Sequence, residues 1–361
     1  MSLNPPDPLD LLPRPLPLLT ADLPGTGGTI KVSPEDFVVE ELPAYLPSGE
    51  GQHLYLWIEK RQLTTQDAVK LIAQATGVPE RDIGYAGQKD RQALTRQWLS
   101  LATAKDAVVI DDPRIKVLAA SRHGNKLRLG HSKGNRFTLV VRGADANALS
   151  RADAIIERLR TTGLPNFFGP QRFGRQRDNA VLGAALLGVG GHPRARHATH
   201  DRHLRRLAIS ALQSEVFNRC LAARIADGLW ERVIEGDVLQ RRNGGLFTTT
   251  EVDVDSERLV RHEVDVTGPL PGAHERPEAH GPARAREDAV LAGCGLARAA
   301  FANGRGEAEG ARRCYRVPLV DVTVRRVDSN ALELSFALPP GSYATRVIAE
   351  ITKADVEVPE G

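Results

Sequence analysis

The 361-residue chain has few cysteines and contains no long run of apolar residues. Because a membrane-spanning helix needs about 20 predominantly apolar residues, the sequence predicts no transmembrane segment. The three cysteines, Cys220, Cys294 and Cys314, lie far apart along the chain. Their spacing matches neither a disulfide framework nor a zinc site, so we expect a protein of the reducing cytoplasm.

The start of the chain lacks the basic residues and the continuous apolar core of a signal peptide. Six prolines fall within Met1–Thr20 instead. We interpret residues 1–25 as a proline-rich lead, either an extended arm or a disordered segment. The length of the chain favours two domains, and its 41% hydrophobic residues are enough to form their cores.

Lysine is scarce among the positive residues: of 48 Lys+Arg, nine are lysine and 39 are arginine, in a chain of net charge +3. Arginine binds phosphate in a bidentate manner better than lysine does. A GC-rich genome would favour arginine as well. Composition is therefore only a slight indication of a nucleic-acid partner.

The pattern of apolar residues predicts strands joined by hairpins, with interspersed helices, which is typical of an α+β domain. A helix over Gln66–Ala75 should be capped by Thr64 or Thr65 and ended by Gly77. Apolar residues that recur every four positions predict an amphipathic helix over Leu204–Leu221. Further predictions are a hairpin of Arg114–Ala120 with Lys126–Leu129, a helix over about Asn147–Arg160, a surface loop Gly268–Glu287, a helix Ala289–Leu296, strands Val317–Val324 and Ala331–Leu338, and a closing helix Val347–Ile351.

The end of the chain returns to the strand-rich pattern of its beginning. We therefore infer that residues 191–316 are inserted into a single α+β domain.

The glycine-rich stretch Gly84–Gln97 contains one carboxylate, Asp90, beside the ammonium group of Lys89. Its glycines allow a tight turn or the close approach of a ligand. The apolar run Trp98–Leu101 follows, and chemistry is often carried by a turn that a rigid strand supports. From these residues alone two interpretations stay open: Asp90 carries chemistry, or it is the N-cap of a short helix over Arg91–Gln97.

A second informative stretch, Leu164–Gly174, combines three phenylalanines with Asn166, Gln171 and Arg172. Aromatic rings can stack on splayed bases, an amide can read a base edge and arginine can hold phosphate. The alternative is a loop whose phenylalanines fill a domain core. The residues alone leave both interpretations open.

Histidine and arginine are concentrated in His192–Arg206, which has five arginines, four histidines and one aspartate. This segment is either a solvated charged helix or a basic face at an RNA groove. A metal site formed by His197, His200 and His203 is a weaker alternative, because no carboxylate or cysteine completes a plausible ligand set there.

Four blocks that follow one another along the chain carry a resemblance to a known family. They are Lys31–Glu40, Gly84–Asp90 with Thr95–Gln97, Asn166–Gly174 and Pro340–Thr345. Together they resemble the TruD family of tRNA pseudouridine synthases, from about residue 30 to residue 351. The chain departs from the family's pattern in its proline-rich lead and in the segment Gly268–Glu287.

The resemblance implies a pseudouridine synthase catalytic domain of residues 26–190 and 317–361, with a mixed, largely antiparallel sheet and flanking helices. A family-specific α/β insertion domain, residues 191–316, interrupts it. The family isomerises uridine at position 13 of certain tRNAs and needs no metal and no organic cofactor. We therefore expect tRNA as the partner, no membrane contact and, by default, a monomer.

The resemblance also implies roles for single residues. Asp90 falls on the family's catalytic aspartate, which favours the chemical interpretation over the helix cap. Phe37, Asn166 and Tyr343 fall on positions associated with the target uridine. The family usually has Phe where Tyr343 stands, so the stacking ring here carries a hydroxyl.

The reaction breaks the N1–C1′ glycosidic bond of uridine, turns the base and rejoins it through C5, so the nucleotide must be flipped into a pocket. A carboxylate near C1′ and C2′ can act as nucleophile or as base, and this choice stays open for Asp90. A nearby cation should lower its pKa and keep it ionised. The candidates for that cation are Lys89, Lys31 and Arg172.

Other residues of the four blocks are expected to bind the flipped nucleotide. Phe37 and Tyr343 should stack on the base, and Asn166 has a donor and an acceptor that can match a uracil edge. Phe168 and Arg172 are expected to hold the loop or a phosphate.

Two rival functions stay open at this point. A non-catalytic RNA-binding protein on the same fold would not need Asp90 and Asn166 together. A hydrolase of nucleosides or RNA bases could use one carboxylate and aromatic stacking, but it would release free base, whereas an isomerase would not.

Overall fold

A computed structural model describes residues 11–30, 32–89, 91–304 and 306–354. Two of the predicted site residues, Lys31 and Asp90, therefore lie outside the described residues. The strands are β1 (Phe37–Pro43), β2 (His53–Lys60), β3 (Gly84–Tyr85), β4 (Leu94–Ala102), β5 (Ile115–His123), β6 (Ser132–Arg142), β7 (Leu164–Pro165), β8 (Val238–Arg241), β9 (Leu246–Thr248), β10 (Val264–Leu270), β11 (Ala311–Cys314), β12 (Arg316–Val317), β13 (Val320–Asp328) and β14 (Ala331–Leu338). The α-helices are α1 (Thr65–Thr76), α2 (Ala148–Thr162), α3 (Asn179–Leu186), α4 (Ala195–His200), α5 (Arg202–Ala226), α6 (Val252–Val260), α7 (Gly281–Gly293) and α8 (Ala344–Thr352).

The large sheet has the strand order β13-β14-β6-β1-β4-β2-β5, and β3 pairs with β4 beside this path. β1 runs parallel to β4, with Val38 opposite Leu94 and Glu40 opposite Arg96. The other pairs of this sheet are antiparallel. The prediction of an α+β fold with a mixed, largely antiparallel sheet is confirmed.

One face of the large sheet carries helices over its two halves. Alternate residues of a strand point to opposite faces, so Leu54, Leu56 and Ile58 of β2 all lie under α1 in one cluster. On the other half, α2 and α8 pack on β6 and β14 in a second cluster, which includes Phe336. Burial of each such side chain stabilises the fold by about 1.5–3 kcal/mol. β1 is the central strand between the two halves, and a cavity opens beside its first residue, Phe37.

Helix α1 begins and ends with local capping groups. The Thr64 hydroxyl accepts a hydrogen bond from the Asp67 N–H, and the Asp67 carboxylate accepts one from the Thr64 N–H, which together form a capping box. Gly77 ends the helix in the left-handed conformation, with φ of 77°. The predicted cap at Thr64 and stop at Gly77 are confirmed.

A separate core is built around the long helix α5 and a small antiparallel sheet of order β11-β10-β8-β9. Asp201 is the N-cap of α5, and its carboxylate accepts a hydrogen bond from the Leu204 N–H. Its apolar residues Val216, Phe217 and Leu221 are fully buried. The predicted amphipathic helix is confirmed, and it extends further at both ends, from Arg202 to Ala226.

The segment between β7 and β12, which we call the inserted part, has its two ends side by side. β7 and β12 form a two-stranded antiparallel sheet in which Leu164 is opposite Val317 and Pro165 is opposite Arg316. The chain therefore leaves the large sheet and returns to it at nearly the same place. This pairing allows a long segment to be inserted without interrupting the large sheet. The exact boundary of the insertion at residue 191 stays a prediction.

The proline-rich lead is packed from Leu11 onward. Leu11 is buried in the core around α5, and the Thr26 N–H donates to the Ile351 carbonyl at 2.8 Å. The Leu19 and Thr20 N–H groups donate to the fully buried carboxylate of Glu350 at 2.8 and 3.0 Å. Of the two interpretations of the lead, the extended arm is the one that holds for residues 11–26.

The alternative of a helix over Arg91–Gln97 does not hold, because Leu94 to Gln97 belong to β4. Two predictions of local structure are wrong. Lys126–Leu129 is a loop, because the Leu127 N–H donates to the Ser100 hydroxyl and β5 pairs with β2 instead. The segment Gly268–Glu287 contains the end of β10 and the start of α7, and only its middle is irregular.

We predict that Glu350→Ala lowers the free energy of unfolding by about 2–4 kcal/mol, because the partly buried Leu19 N–H and the buried Thr20 N–H and hydroxyl lose their acceptor. Chemical denaturation followed by circular dichroism measures this change. Glu157→Ala is the control, because this exposed carboxylate pairs only with the exposed Arg160 on its own helix. Equal stability of the two variants would contradict the role assigned to Glu350.

Candidate active site

The turn that precedes Asp90 is fixed by hydrogen bonds from two neighbouring elements. The Thr65 hydroxyl at the start of α1 accepts from the Lys89 N–H at 2.8 Å and donates to the Gln97 side chain at 2.9 Å. Gln97, on β4, donates in turn to the Gly87 carbonyl at 3.2 Å. Both Thr65 and Gln97 are buried, so their hydrogen bonds hold the backbone up to Lys89 in one place.

Gly84 is the residue of this stretch for which a side chain has no room. A Cβ at Gly84 would lie 2.2 Å from the Leu127 carbonyl oxygen and 2.7 Å from the Ser100 hydroxyl. The glycine thus permits close approach of two backbone segments rather than an unusual φ. Gly84 pairs with Ser100, which ties the start of the turn to β4.

Two lysines lie at this turn, and both are buried. Lys89 pairs with Glu41 of β1, with 3.4 Å between Nζ and Oε2. Burial raises the pKa of Glu41, and the Lys89 ammonium and the Trp98 N–H oppose this by lowering it. Lys60, at the end of β2, is fully buried and donates to the carbonyls of Leu63 at 2.6 Å and Lys89 at 3.4 Å.

Lys60 was not among the residues selected from the sequence. A signal was present, because Lys60 continues the inward series Leu54, Leu56 and Ile58, where a charge is unexpected. Its ammonium group touches the carbonyl of the residue that directly precedes Asp90 in the chain.

An aromatic cavity of about 250 Å³ lies next to this turn. Phe37 and Tyr343, which are distant in sequence, both line it. The Phe37 ring contacts Phe137 edge-on, with 6.3 Å between centroids, and Phe137 stacks on Phe336 at 5.5 Å. The remaining lining residues are Val39, Gln88, Lys89, Asn135, Gln171, Gly341, Ser342, Ala344 and Thr345.

Asn166 does not line this cavity, and its amide is engaged within the protein. Its Nδ2 donates to the Cys314 carbonyl at 3.0 Å. Its Oδ1 accepts hydrogen bonds from Arg313 and from the Ser342 hydroxyl. Asn166 therefore lies behind the loop that carries Tyr343 and holds this loop and Arg313 together.

Phe168 lies between the cavity and the inserted part. Its ring contacts Tyr343 edge-on at 6.1 Å and Phe217 of α5 at 5.5 Å. Phe167 and Phe173 are fully buried in the same core. The interpretation of this loop as one that fills a core is therefore correct, and Phe168 extends that core to the edge of the cavity.

Two arginines flank the Phe168 ring. The Arg313 guanidinium lies 4.2 Å from the ring centroid and that of Arg172 lies 5.5 Å from it. Arg172 donates to Ser210 and Ser214 of α5, whereas Arg313 donates to Asn166 and to the Gly341 carbonyl. Burial lowers the pKa of Arg313 to about 10.

Neither arginine has a carboxylate partner within the described ranges. Sequence reasoning identified Arg172 but missed Arg313, because nothing in a strand with two adjacent arginines indicates which one reaches the site.

The structure brings Phe37, Lys89 and Tyr343 to one cavity and places Phe168 and Arg172 at its border. In the described part of the chain, no group of three or more His, Cys, Asp or Glu side chains could hold a metal ion. No described helix is long and apolar enough to cross a membrane.

The basic segment His192–Arg206 has several of its charges already paired. His192 and Arg194 both bind Asp178, and Arg205 binds Glu307. These pairs tie the segment to α3 and to the chain before β11.

Comparison with known proteins places the chain in a family. The family model described as tRNA pseudouridine synthase D (TruD) matches residues 16–190 and 191–351. The chain is 52% identical over 347 residues to a tRNA pseudouridine synthase D of Anaeromyxobacter sp. (strain Fw109-5), covering 95% of this chain and 98% of that one. It is 45% identical over 355 residues to a tRNA pseudouridine synthase D of Thermus thermophilus, covering 96% of this chain and 95% of that one.

The fold also matches a solved structure. The crystal structure of a putative tRNA pseudouridine synthase D (TruD) from Methanosarcina mazei superposes with a TM-score of 0.76 at 22% identity, over 98% of this chain and 99% of that one. This likeness concerns the fold. The family match over most of the chain and the identity to these relatives show that this chain belongs to the tRNA pseudouridine synthase D (TruD) family, whose members are isomerases.

Proposed function

We propose that this protein converts uridine at position 13 of tRNA to pseudouridine, with Asp90 as the catalytic carboxylate. The observation that carries the proposal is the aromatic cavity bordered by Gln88 and Lys89, the two residues directly before Asp90. Because the chain belongs to a family of isomerases, we do not retain the non-catalytic RNA-binding protein or the base hydrolase as its function.

The cavity suits a nucleotide that has left its stack. Phe37 and Tyr343 offer aromatic rings to a flipped uracil, and such stacking contributes on the order of 1–3 kcal/mol per base. Asp90 acts at C1′ or C2′, as nucleophile or as base.

We assign to Lys60 the role of the cation that keeps Asp90 ionised. Its ammonium is buried and donates to the Lys89 carbonyl, whereas the Lys89 ammonium pairs with Glu41 and Arg172 binds α5. An opposite charge close to a carboxylate lowers its pKa, most strongly where water is excluded. We assign to Lys60 the role for which Lys89, Lys31 and Arg172 are the sequence-based candidates.

Arg172 and Arg313 are proposed to bind phosphates that flank the flipped nucleotide. Arginine forms bidentate contacts with phosphate, and neither guanidinium is paired with a carboxylate in the described ranges. Their contact with Phe168 places both charges beside Tyr343 at the edge of the cavity.

We predict that Asp90→Asn abolishes pseudouridine formation at position 13, by on the order of 10³-fold or more, while tRNA still binds at low salt. Pseudouridine mapping of tRNA after incubation measures pseudouridine formation, and filter binding measures the affinity for tRNA. Asp111→Asn changes an exposed carboxylate in the same way, so it is the control and should keep full turnover. Full turnover by Asp90→Asn would refute its catalytic role.

Lys60→Met should slow turnover by about 10–100-fold near neutral pH and move the acid limb of kcat/KM to higher pH. The sign follows because loss of a cation raises the pKa of the carboxylate, so more alkaline solution is needed to ionise it. The pH profile is the measurement, with Lys116→Met on the exposed side of β5 as the control. If the acid limb of kcat/KM is unchanged in Lys60→Met, Lys60 stabilises the fold and does not affect the ionisation of Asp90.

Tyr343→Phe should keep turnover within about threefold, whereas Tyr343→Ala should reduce kcat/KM by about 10–150-fold, since only the latter removes the ring. Steady-state kinetics on tRNA measures both. If the two variants lose activity equally, the hydroxyl rather than stacking is what Tyr343 contributes.

A further inference from the structure

The cavity has a polar wall as well as aromatic ones, and this wall is formed by β6 and the start of α8. Asn135 lies on the same face of β6 as Phe137, opposite Glu41 on β1 and Leu338 on β14. The Asn135 Oδ1 is buried and has no hydrogen-bond partner in the described part of the chain. The hydroxyl oxygen of Thr345, which lines the same cavity, is also buried and unpartnered there.

An unpartnered, buried amide oxygen is costly at this position. A buried polar group without a partner destabilises a fold, and most such groups in proteins are satisfied. The residues that follow Asn135 on this face of β6 are Phe137, Leu139 and Val141, all buried and apolar. An apolar side chain at position 135 would therefore suit the fold better, which indicates that the amide serves a ligand.

Asn135 and Asn166 differ in whether their side-chain amides are still available to hydrogen-bond a ligand. The Asn166 oxygen already accepts from Arg313 and Ser342, and its nitrogen donates to the Cys314 carbonyl. The Asn135 amide makes no hydrogen bond to any residue in the described ranges. Asn135 also lines the cavity with Phe37 and Tyr343, whereas Asn166 does not.

We propose that Asn135 recognises the flipped uracil, and that Asn166 is a positioning residue for the loop that carries Tyr343. The inference rests on the proposed function of the cavity. The imide edge of uracil presents the N3–H donor between two carbonyl acceptors. Oδ1 of Asn135 accepts from N3–H, and Nδ2 donates to an adjoining carbonyl oxygen of the base, which satisfies both partners.

The first test separates recognition from folding. Asn135→Leu keeps the size of the side chain and removes its polar atoms, so the melting temperature should stay the same or rise. Its pseudouridine formation on tRNA should fall by about 10–100-fold, the discrimination expected for a bidentate contact to a base. A structural amide would give the reverse: a lower melting temperature in proportion to the loss of activity.

The second test addresses the hydrogen bond itself. tRNA is prepared with uridine or with 3-methyluridine at the target position, and loss of the C5 hydrogen is measured for wild type and for Asn135→Ala. Methylation removes the N3–H donor, so wild type should react about 10–100-fold more slowly with the 3-methyluridine tRNA than with the uridine tRNA. In Asn135→Ala this difference should shrink to within about threefold, because the acceptor is gone.

The matched control is Asn147→Ala, an exposed asparagine whose side chain makes no cap hydrogen bond, and it should behave as wild type. The proposal is overturned if the methylation penalty is the same with and without the Asn135 amide, or if Asn135→Leu keeps full turnover. If wild type forms no pseudouridine in tRNA, the proposed function fails as well. If wild type is active while the Asn135 variants match it, only the assignment of Asn135 fails.

Discussion

The hydroxyl of Thr65 is the point at which helix, sheet and candidate catalytic turn are joined. It accepts from the Lys89 N–H and donates to Gln97, which holds the Gly87 carbonyl. Thr65 takes this position because α1 starts there, and α1 starts there because Thr64 and Asp67 form a capping box. These hydrogen bonds are buried or partly buried, and loss of a buried partner costs about 1–3 kcal/mol, so the turn has little freedom to move. Catalysis at a sugar carbon requires such precision, since a carboxylate displaced by about 1 Å loses much of its effect.

The inserted part is held to the site by a second constraint, the pairing of β7 with β12. Asn166 directly follows β7, and Arg313 lies just before β12, so the two meet where the chain leaves and re-enters the large sheet. Arg313 also donates to Gly341, which connects it to the loop of Tyr343. The position of the aromatic cavity thus depends on residues from both parts of the chain. Arg313, from the segment between β7 and β12, therefore helps to hold the loop that borders the cavity.

Local signals were the ones that could be interpreted correctly before the structure was known. The cap at Thr64, the stop at Gly77 and the amphipathic pattern of α5 are each encoded within a few turns of chain. The incorrect predictions concern segments whose secondary structure depends on hydrogen bonds to residues far away in the sequence. Lys126–Leu129 has strand-like composition, but the Leu127 N–H is taken by the Ser100 hydroxyl and is not available to β5. The segment Gly268–Glu287 conceals the end of β10 and the start of α7, because β10 is stabilised by two neighbouring strands rather than by its own apolar pattern.

The sequence by itself determined the family, the mixed α+β architecture and the motifs that carry Phe37, Asp90 and Tyr343, because glycine turns, caps and motif residues are local properties. Only the tertiary structure decided which polar groups already have partners. Asn166 has the more conspicuous sequence context, yet its amide is occupied by Arg313 and Ser342. Asn135 and Lys60 lie in ordinary strands, and their significance comes from burial near the central strand β1 and from the hydrogen bonds they make or lack. Burial and hydrogen-bond satisfaction are set by contacts between segments far apart in the chain, and no local pattern records them.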